Sequence, residues 1–227
     1  MRQGLRVACA VVACALFTGA GVPARADAPA PPPDPAASGI NSVAALFALM
    51  ARSPGLFARF HEEKQIALLV LPIKSDGTLH FERKHGLAKH TLSPRKQSVL
   101  LSGSALTMWD GSRTETVPLQ SSAPLRALAQ AFSLMLAADR AGLEKSFSLG
   151  FHSAGRTWQL ALVPTDPELK KLVTEIDVAG DLATPKTLLV REASGDVGTT
   201  TLEDVDFDKH YTDGEAAAVF KVPPATP

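Results

Sequence analysis

The sequence predicts a mainly β protein of the α+β class, in which apolar helices pack in the concave face of a long, curved antiparallel sheet. Short runs of alternating polar and apolar residues, each closed by a turn sequence, predict about eleven strands. Two further segments carry apolar residues at the three- and four-residue spacing of buried helices. A sheet of this length normally curls or closes, so the helices fit inside an incomplete barrel.

Residues 1–26 have the features of a signal peptide that is cleaved after Ala26. Arg2 and Arg6 form a basic start, and the apolar run 7–17 is shorter than a membrane-spanning helix. Small residues at positions 24 and 26 form the cleavage site. We therefore expect an exported, periplasmic protein.

Both cysteines of the chain, Cys9 and Cys14, lie in this segment. Its removal excludes disulfides, thiol catalysis and cysteine metal sites in the mature protein. Residues 11–14 weakly resemble a lipoprotein processing site, which would lipidate Cys14. The apolar run continues past Cys14 and a better cleavage site follows, so lipidation is the less favoured alternative.

The remaining chain divides into a Pro/Ala-rich disordered linker at 27–39, one domain at 40–222 and a frayed tail at 223–227. The full chain has 23 basic and 23 acidic side chains, and removal of the signal peptide leaves 20 basic against 23 acidic. We find no basic stripe for nucleic acid and no polybasic cluster for anionic membranes. A monomer is expected.

The first helix is predicted at 43–51, capped by Asn41 or Ser42 and ended by the Ser53-Pro54 pair. A short turn at 56–60 would lead to a first strand at 65–73. That segment is apolar on both faces, so both of its sides are expected to be covered.

Strands are then predicted at 78–83, 87–91, 97–101, 106–109 and 114–118, and later at 146–152, 157–162, 173–178, 186–191 and 199–207. In the first of these, Leu79, Phe81 and Arg83 share one face of the sheet. A second helix should begin at Ser122 and end near Arg140.

The residues that could carry catalysis or bind a metal form no recognisable motif. His80, His85 and His90 are five residues apart and lack a nearby carboxylate ligand. Ser104, His152 and Asp177 have the residue types of a catalytic triad, but the sequence contains no Gly-x-Ser-x-Gly turn that would support one. We therefore predict neither enzymatic activity nor a metal or other cofactor.

The motif Gly77-Thr78-Leu79-His80-Phe81, followed by Arg83, resembles the start of the LolA-type carriers, which ferry lipoproteins across the periplasm. Lys84 replaces the usual proline of that family. Leu92-Ser93-Pro94 and the residues 102–106 resemble its next turn and strand, without the usual aspartate. The pattern covers most of the mature chain and supports a divergent member.

The resemblance implies a cavity between sheet and helices that shields acyl chains of lipoproteins or lipids. It further implies an inner-membrane donor protein and an outer-membrane acceptor protein. The candidate wall residues are Leu79, Phe81, Phe147, Leu149, Phe151, Trp158, Leu160 and Leu162, and the candidate lid residues are Leu128, Phe132 and Met135. The family places an arginine at the position of Arg83 to hold the lid over the empty cavity.

The acyl-binding cavity and the role of Arg83 in holding the lid each have a simpler alternative. The same apolar residues could form a filled core, as apolar residues do in most proteins. The protein would then be an envelope adaptor that binds other proteins through its helices or sheet edge. A guanidinium on an apolar face needs a partner, such as carbonyls at a helix C terminus, or else Arg83 extends past the sheet edge into water.

Overall fold

The computed structural model describes residues 40–182 and 184–223, although not the side chains of Phe132 and Leu136. The predicted signal peptide, the linker and residues 224–227 lie outside the described part, so these predictions stay predictions. Among the described helices, none combines the length and the apolar character that crossing a membrane requires.

Eleven strands form one antiparallel sheet, as predicted. The strands are β1 (Gly55–Gln65), β2 (Ile73–Glu82), β3 (Gly86–Ser93), β4 (Gln97–Ser102), β5 (Ala105–Trp109), β6 (Thr114–Pro118), β7 (Phe147–Ala154), β8 (Thr157–Pro164), β9 (Val173–Asp181), β10 (Thr184–Glu192) and β11 (Val197–Asp206). Their order across the sheet is β6-β5-β4-β3-β2-β1-β11-β10-β9-β8-β7. The sheet is open, because β6 and β7 are its two edges.

In the described part of the chain, four α-helices accompany the sheet. They are α1 (Val43–Met50), α2 (Ala123–Leu136), the single turn α3 (Arg140–Leu143) and α4 (Asp213–Val219). Helix α1 begins after Ser42, whose side chain accepts a hydrogen bond from the backbone N–H of Ala45. Helix α2 is capped in the same way by Ser122, so both predicted helices are confirmed.

The first strand was predicted in the wrong place. Strand β1 covers Gly55–Gln65, where a turn was expected, and residues 66–72 form the loop to β2. Leu68 and Val70 in this loop are 92% and 95% exposed, so the prediction that both sides of this segment are covered is also wrong. Alternation does exist in β1, but its inward positions change from apolar Phe60 to charged Glu62 and Lys64.

Helix α4 was not predicted, although its sequence contains a capping box. The hydroxyl of Thr212 accepts from the backbone N–H of Glu215, and the Glu215 carboxylate accepts from the backbone N–H of Thr212. The helix packs on the convex face, where His90 Nε2 donates to the Val219 carbonyl at 2.7 Å. Burial, with repulsion from His90 and Lys209, lowers the pKa of His80 beneath this segment to about 4.

Candidate ligand cavity

The apolar interior is divided into three clusters, although a domain usually has one contiguous core. The largest joins α1 and part of α2 to strands β7–β10 and includes Leu46, Phe47 and Ile176. A second joins α2 to β4, β5 and β6. The third is small and lies on β1 and β11, around Phe60 and Leu202.

A cavity of about 140 Å³ lies between the three clusters and explains why they do not merge. Its wall takes residues from all of them: Met50, Leu56, Phe60, Leu79, Leu87, Lys89, Val99, Leu101, Leu106, Leu125, Leu128, Ala129, Met135, Val178, Pro185, Thr187, Leu188, Thr200, Leu202 and Phe207. The wall is almost entirely apolar. Lys89, Thr187 and Thr200 are its polar members.

The cavity shows that the sheet is strongly curved. Its wall residues come from β1–β5 and β9–β11, which are eight consecutive strands of the sheet. In a flat sheet these strands would extend over roughly 34 Å, at about 4.8 Å for each neighbour. One small cavity can touch all eight only if the strands wrap around it, with α2 lying across the opening.

The structure divides the predicted site residues into two groups. Leu79, Leu128 and Met135 line the cavity, although Leu128 also belongs to the packed core around α1 and Met135 packs against that core. Phe147, Trp158, Leu160 and Leu162 belong instead to the packed core around α1, and Leu149 and Phe151 pack against it. Phe81 is buried without lining the cavity, and the side chain of Phe132 lies outside the described residues.

Helix α1 is the reason for this division. Leu46, Phe47 and Met50 insert their side chains against β7–β10, which fills that half of the concave face. Trp158 closes the same half, since its ring lies over Gly180, where any Cβ would come within 2.4 Å of it. The unfilled volume therefore lies beyond this packed region, between α2 and strands β1–β5 and β9–β11.

Sequence reasoning missed most of the wall, including Leu101, Leu106 and Ala129. The alternation of β4 and β5 contained the information, because Val99, Leu101 and Leu106 point to the same side as the α2 stripe. No local pattern shows which of two equally apolar strand pairs faces a helix and which faces a void.

At the end of the cavity nearest the β1–β2 loop, the apolar wall gives way to charged side chains. Lys89 forms an ion pair with Glu62, and its Nζ lies 4.6 Å from the centre of the Phe60 ring. Both side chains of the pair are nearly buried, at 11% and 7% exposure. Beyond it, Lys64 Nζ contacts Glu192 Oε1 at 2.5 Å. A ligand in the cavity would meet paired charges at this end.

Arg83 stands at the other end of the β1–β2 hairpin. Its Nη1 donates to the Ala137 carbonyl and its Nη2 to the Ala51 carbonyl, both at 3.1 Å. Ala51 follows the last residue of α1, and Ala137 follows the last residue of α2. One exposed guanidinium thus ties the C termini of both interior helices to the end of β2, where the helix dipoles favour a cation.

The residues considered for catalysis or metal binding are not assembled into a site. Ser104 lies in the β4–β5 turn, His152 is exposed on edge strand β7, and Asp177 is buried in β9. The rings of His80 and His90 do approach, with centroids 5.7 Å apart. In the part of the chain that the structure describes, no three His, Cys, Asp or Glu side chains group as metal ligands do.

The solved structures to which this chain is similar are distant in sequence. A LolA superfamily protein from Nitrosomonas europaea is 12% identical over 77% of this chain and 97% of its own, with a TM-score of 0.43. A putative outer membrane lipoprotein-sorting protein domain from Vibrio parahaemolyticus is 9% identical over 78% and 95%, with a TM-score of 0.44. The MucA/MucB complex of Pseudomonas aeruginosa matches at 15% identity over 77% of this chain and 59% of that chain, with a TM-score of 0.41.

Among curated proteins, none matches this chain. The family assignment therefore comes from the family model described as "Outer membrane lipoprotein carrier protein LolA-like", which matches residues 36–221. That range contains the whole sheet and all four helices. The chain belongs to the LolA-like family of outer membrane lipoprotein carrier proteins.

Proposed function

We propose that the protein is a periplasmic carrier that binds acyl chains of lipoproteins or lipids and passes them on towards the outer membrane. The observation that carries this proposal is the apolar cavity between α2 and the sheet, in a domain of a carrier family. Binding would need no covalent chemistry. An inner-membrane donor and an outer-membrane acceptor would determine the direction of transfer.

The size of the cavity implies that α2 lies close to the sheet in this structure, in a closed form. A cavity of about 140 Å³ compares with the engineered cavity of about 150 Å³ that binds one benzene molecule. An acyl chain is several times larger than benzene. Helix α2, or both α1 and α2, must therefore move away from the sheet before a chain can enter.

Burial of the acyl chain can drive that movement. Each methylene removed from water contributes about 0.8 kcal/mol. A chain of ordinary length thus gains enough to offset the separation of Leu128 and Met135 from the strands that they contact. The Arg83 hydrogen bonds to Ala51 and Ala137 would break in the same movement, which makes Arg83 the proposed latch.

The Arg83→Met variant should take up acyl chains faster than the wild type, because its closed form is less stable. Methionine keeps much of the apolar stem but donates no hydrogen bond to the two helix ends. The loss of two exposed, charge-assisted bonds should favour opening by about 1–2 kcal/mol, or roughly 5- to 30-fold. Stopped-flow mixing with a fluorescent acyl probe measures the association rate.

Arg126→Met is the matched control for this variant, because Arg126 is an exposed arginine on α2. Its association rate should equal that of the wild type. An Arg83→Met rate within twofold of the wild type would contradict the latch.

Native mass spectrometry of protein recovered from a bacterial periplasm tests the proposed function itself. We expect a population that is heavier than the bare chain by the mass of a lipid, and a larger such population after incubation with a diacyl lipid or a lipoprotein. A single bare mass under both conditions would argue against the carrier.

The filled half of the concave face supports a second candidate, an envelope adaptor with the same fold. Phe147, Trp158, Leu160 and Leu162 are each at most 3% exposed and already packed against α1. If the remaining cavity is only a packing defect, the chain will keep its bare mass. Its partners would then be proteins that contact the helices or the sheet edge.

A further inference from the structure

The β1–β2 loop, residues 66–72, carries the most exposed apolar surface of the described chain. Leu68, Val70 and Leu71 are 92%, 95% and 76% exposed, and Leu69 and Ile73 are each nearly half exposed. Soluble proteins expose single apolar side chains routinely, but a contiguous group of this kind marks a contact surface. We call residues 68–71 the apolar tip.

The apolar tip projects from an ordered loop. The backbone N–H of Leu69 donates to the Ile66 carbonyl at 2.9 Å, and Gln65 Nε2 donates to the Leu69 carbonyl at 2.8 Å. Asp196, in the neighbouring β10–β11 turn, accepts from the backbone N–H of Ala67 at 3.0 Å. These contacts hold the backbone while the aliphatic side chains point away from the domain.

The charged residues behind the tip are paired with opposite charges. Lys64 contacts Glu192 and, at 3.8 Å, Asp196, while Lys74 contacts Glu63. No charged residue lies between positions 65 and 73. The tip is therefore an uncharged aliphatic projection above a collar of two basic and three acidic side chains, all of them in ion pairs.

We propose that the apolar tip inserts into the interfacial region of a lipid bilayer. The tip is a projection rather than a groove, a shape that can enter a deformable medium such as a bilayer. Its side chains are all aliphatic, whereas Trp, Tyr and Arg dominate the binding energy of protein–protein contacts. The collar has no excess of positive charge and therefore provides no electrostatic attraction to anionic lipid. Insertion should therefore depend on apolar burial, and should change little with salt or with anionic lipid.

The position of the tip is compatible with a carrier that works at a membrane. In the β1–β2 hairpin, Lys64 pairs with Ile73 next to the tip, and Gly55 pairs with Glu82 next to Arg83. The two ends of the hairpin are about 30 Å apart, at about 3.3 Å for each residue. Attachment through the tip thus leaves the helix ends at Arg83 free to move.

Vesicle co-sedimentation with the periplasmic protein tests the proposal. We expect the wild type to sediment with phosphatidylcholine vesicles, with or without added phosphatidylglycerol, at low and at high salt. The double variant Leu68→Ser/Val70→Ser should bind at least about tenfold more weakly, because two of the most exposed side chains of the tip no longer gain from burial.

Leu92→Ser/Val163→Ser is the matched control, since it removes two exposed aliphatic side chains elsewhere, at 57% and 45% exposure. It should sediment like the wild type. Three results would overturn the proposal: wild type that stays in the supernatant, a tip variant that sediments like the wild type, or binding that disappears at high salt.

A dye attached at Leu71→Cys gives a second readout, because both natural cysteines lie in the predicted signal peptide. Its emission should shift to the blue when vesicles are added, and an unshifted emission would count against insertion. Ala129→Phe, which fills the cavity, should still sediment with vesicles. This variant separates failure of the tip from failure of the proposed acyl site.

Discussion

Replacing Ala129 with phenylalanine is expected to weaken acyl binding by about 100-fold or more while the protein stays folded. Ala129 lies in the middle of α2, is 6% exposed and lines the cavity. The added phenyl group is close in size to benzene, which a cavity of about 150 Å³ accommodates. The side chain would therefore occupy the volume in which an acyl chain begins to insert, and its burial would stabilise the closed form.

The variant is best measured by titration with a fluorescent acyl probe and by thermal unfolding. Gln130→Phe, at the next and exposed position of α2, adds the same group outside the cavity and should bind like the wild type. Unfolding of Ala129→Phe at or above the wild-type temperature would show that the loss is local. Wild-type affinity in a folded Ala129→Phe protein would place the acyl chain elsewhere.

Replacing Lys64 with methionine is expected to reduce the free energy of unfolding by about 3–5 kcal/mol. Lys64 Nζ lies 2.5 Å from Glu192 Oε1, and the two side chains are 8% and 7% exposed. Without the ammonium group, Glu192 remains as a buried anion that accepts from the Ser194 hydroxyl at 3.4 Å, and Asp196 loses the same cation at 3.8 Å. The cost comes from this uncompensated charge more than from the lost contact itself.

The double variant Lys64→Met/Glu192→Gln distinguishes these two causes. It removes both charges, so most of the lost stability should return. Urea unfolding of the wild type, both single variants and the double variant provides the complete cycle. A loss below about 1 kcal/mol in Lys64→Met would mean that water reaches the pair and screens it.

The first strand was predicted in the wrong place because the contacts that stabilise β1 are not local in the sequence. Its inward positions alternate from Leu56 through Phe60 but then become Glu62 and Lys64, which look like surface residues in a sequence. Lys64 is acceptable inside because Glu192, 128 residues away in the chain, lies beside it. The β1–β2 loop misled the prediction in the opposite direction. Residues 65–73 have the composition of a buried strand, but they contain the exposed apolar tip.

The sequence by itself determined the second half of β2, the strands from β3 onwards and the two interior helices, because alternation, helical spacing and turn residues are local properties. It also placed Arg83 on the same face as Leu79, from which the contact with helix carbonyls could be anticipated. Only the tertiary structure decided which apolar side chains fill the core and which surround a void. That depends on where α1 packs, and strands β4 and β8 are equally apolar on their inner faces until a helix covers one of them.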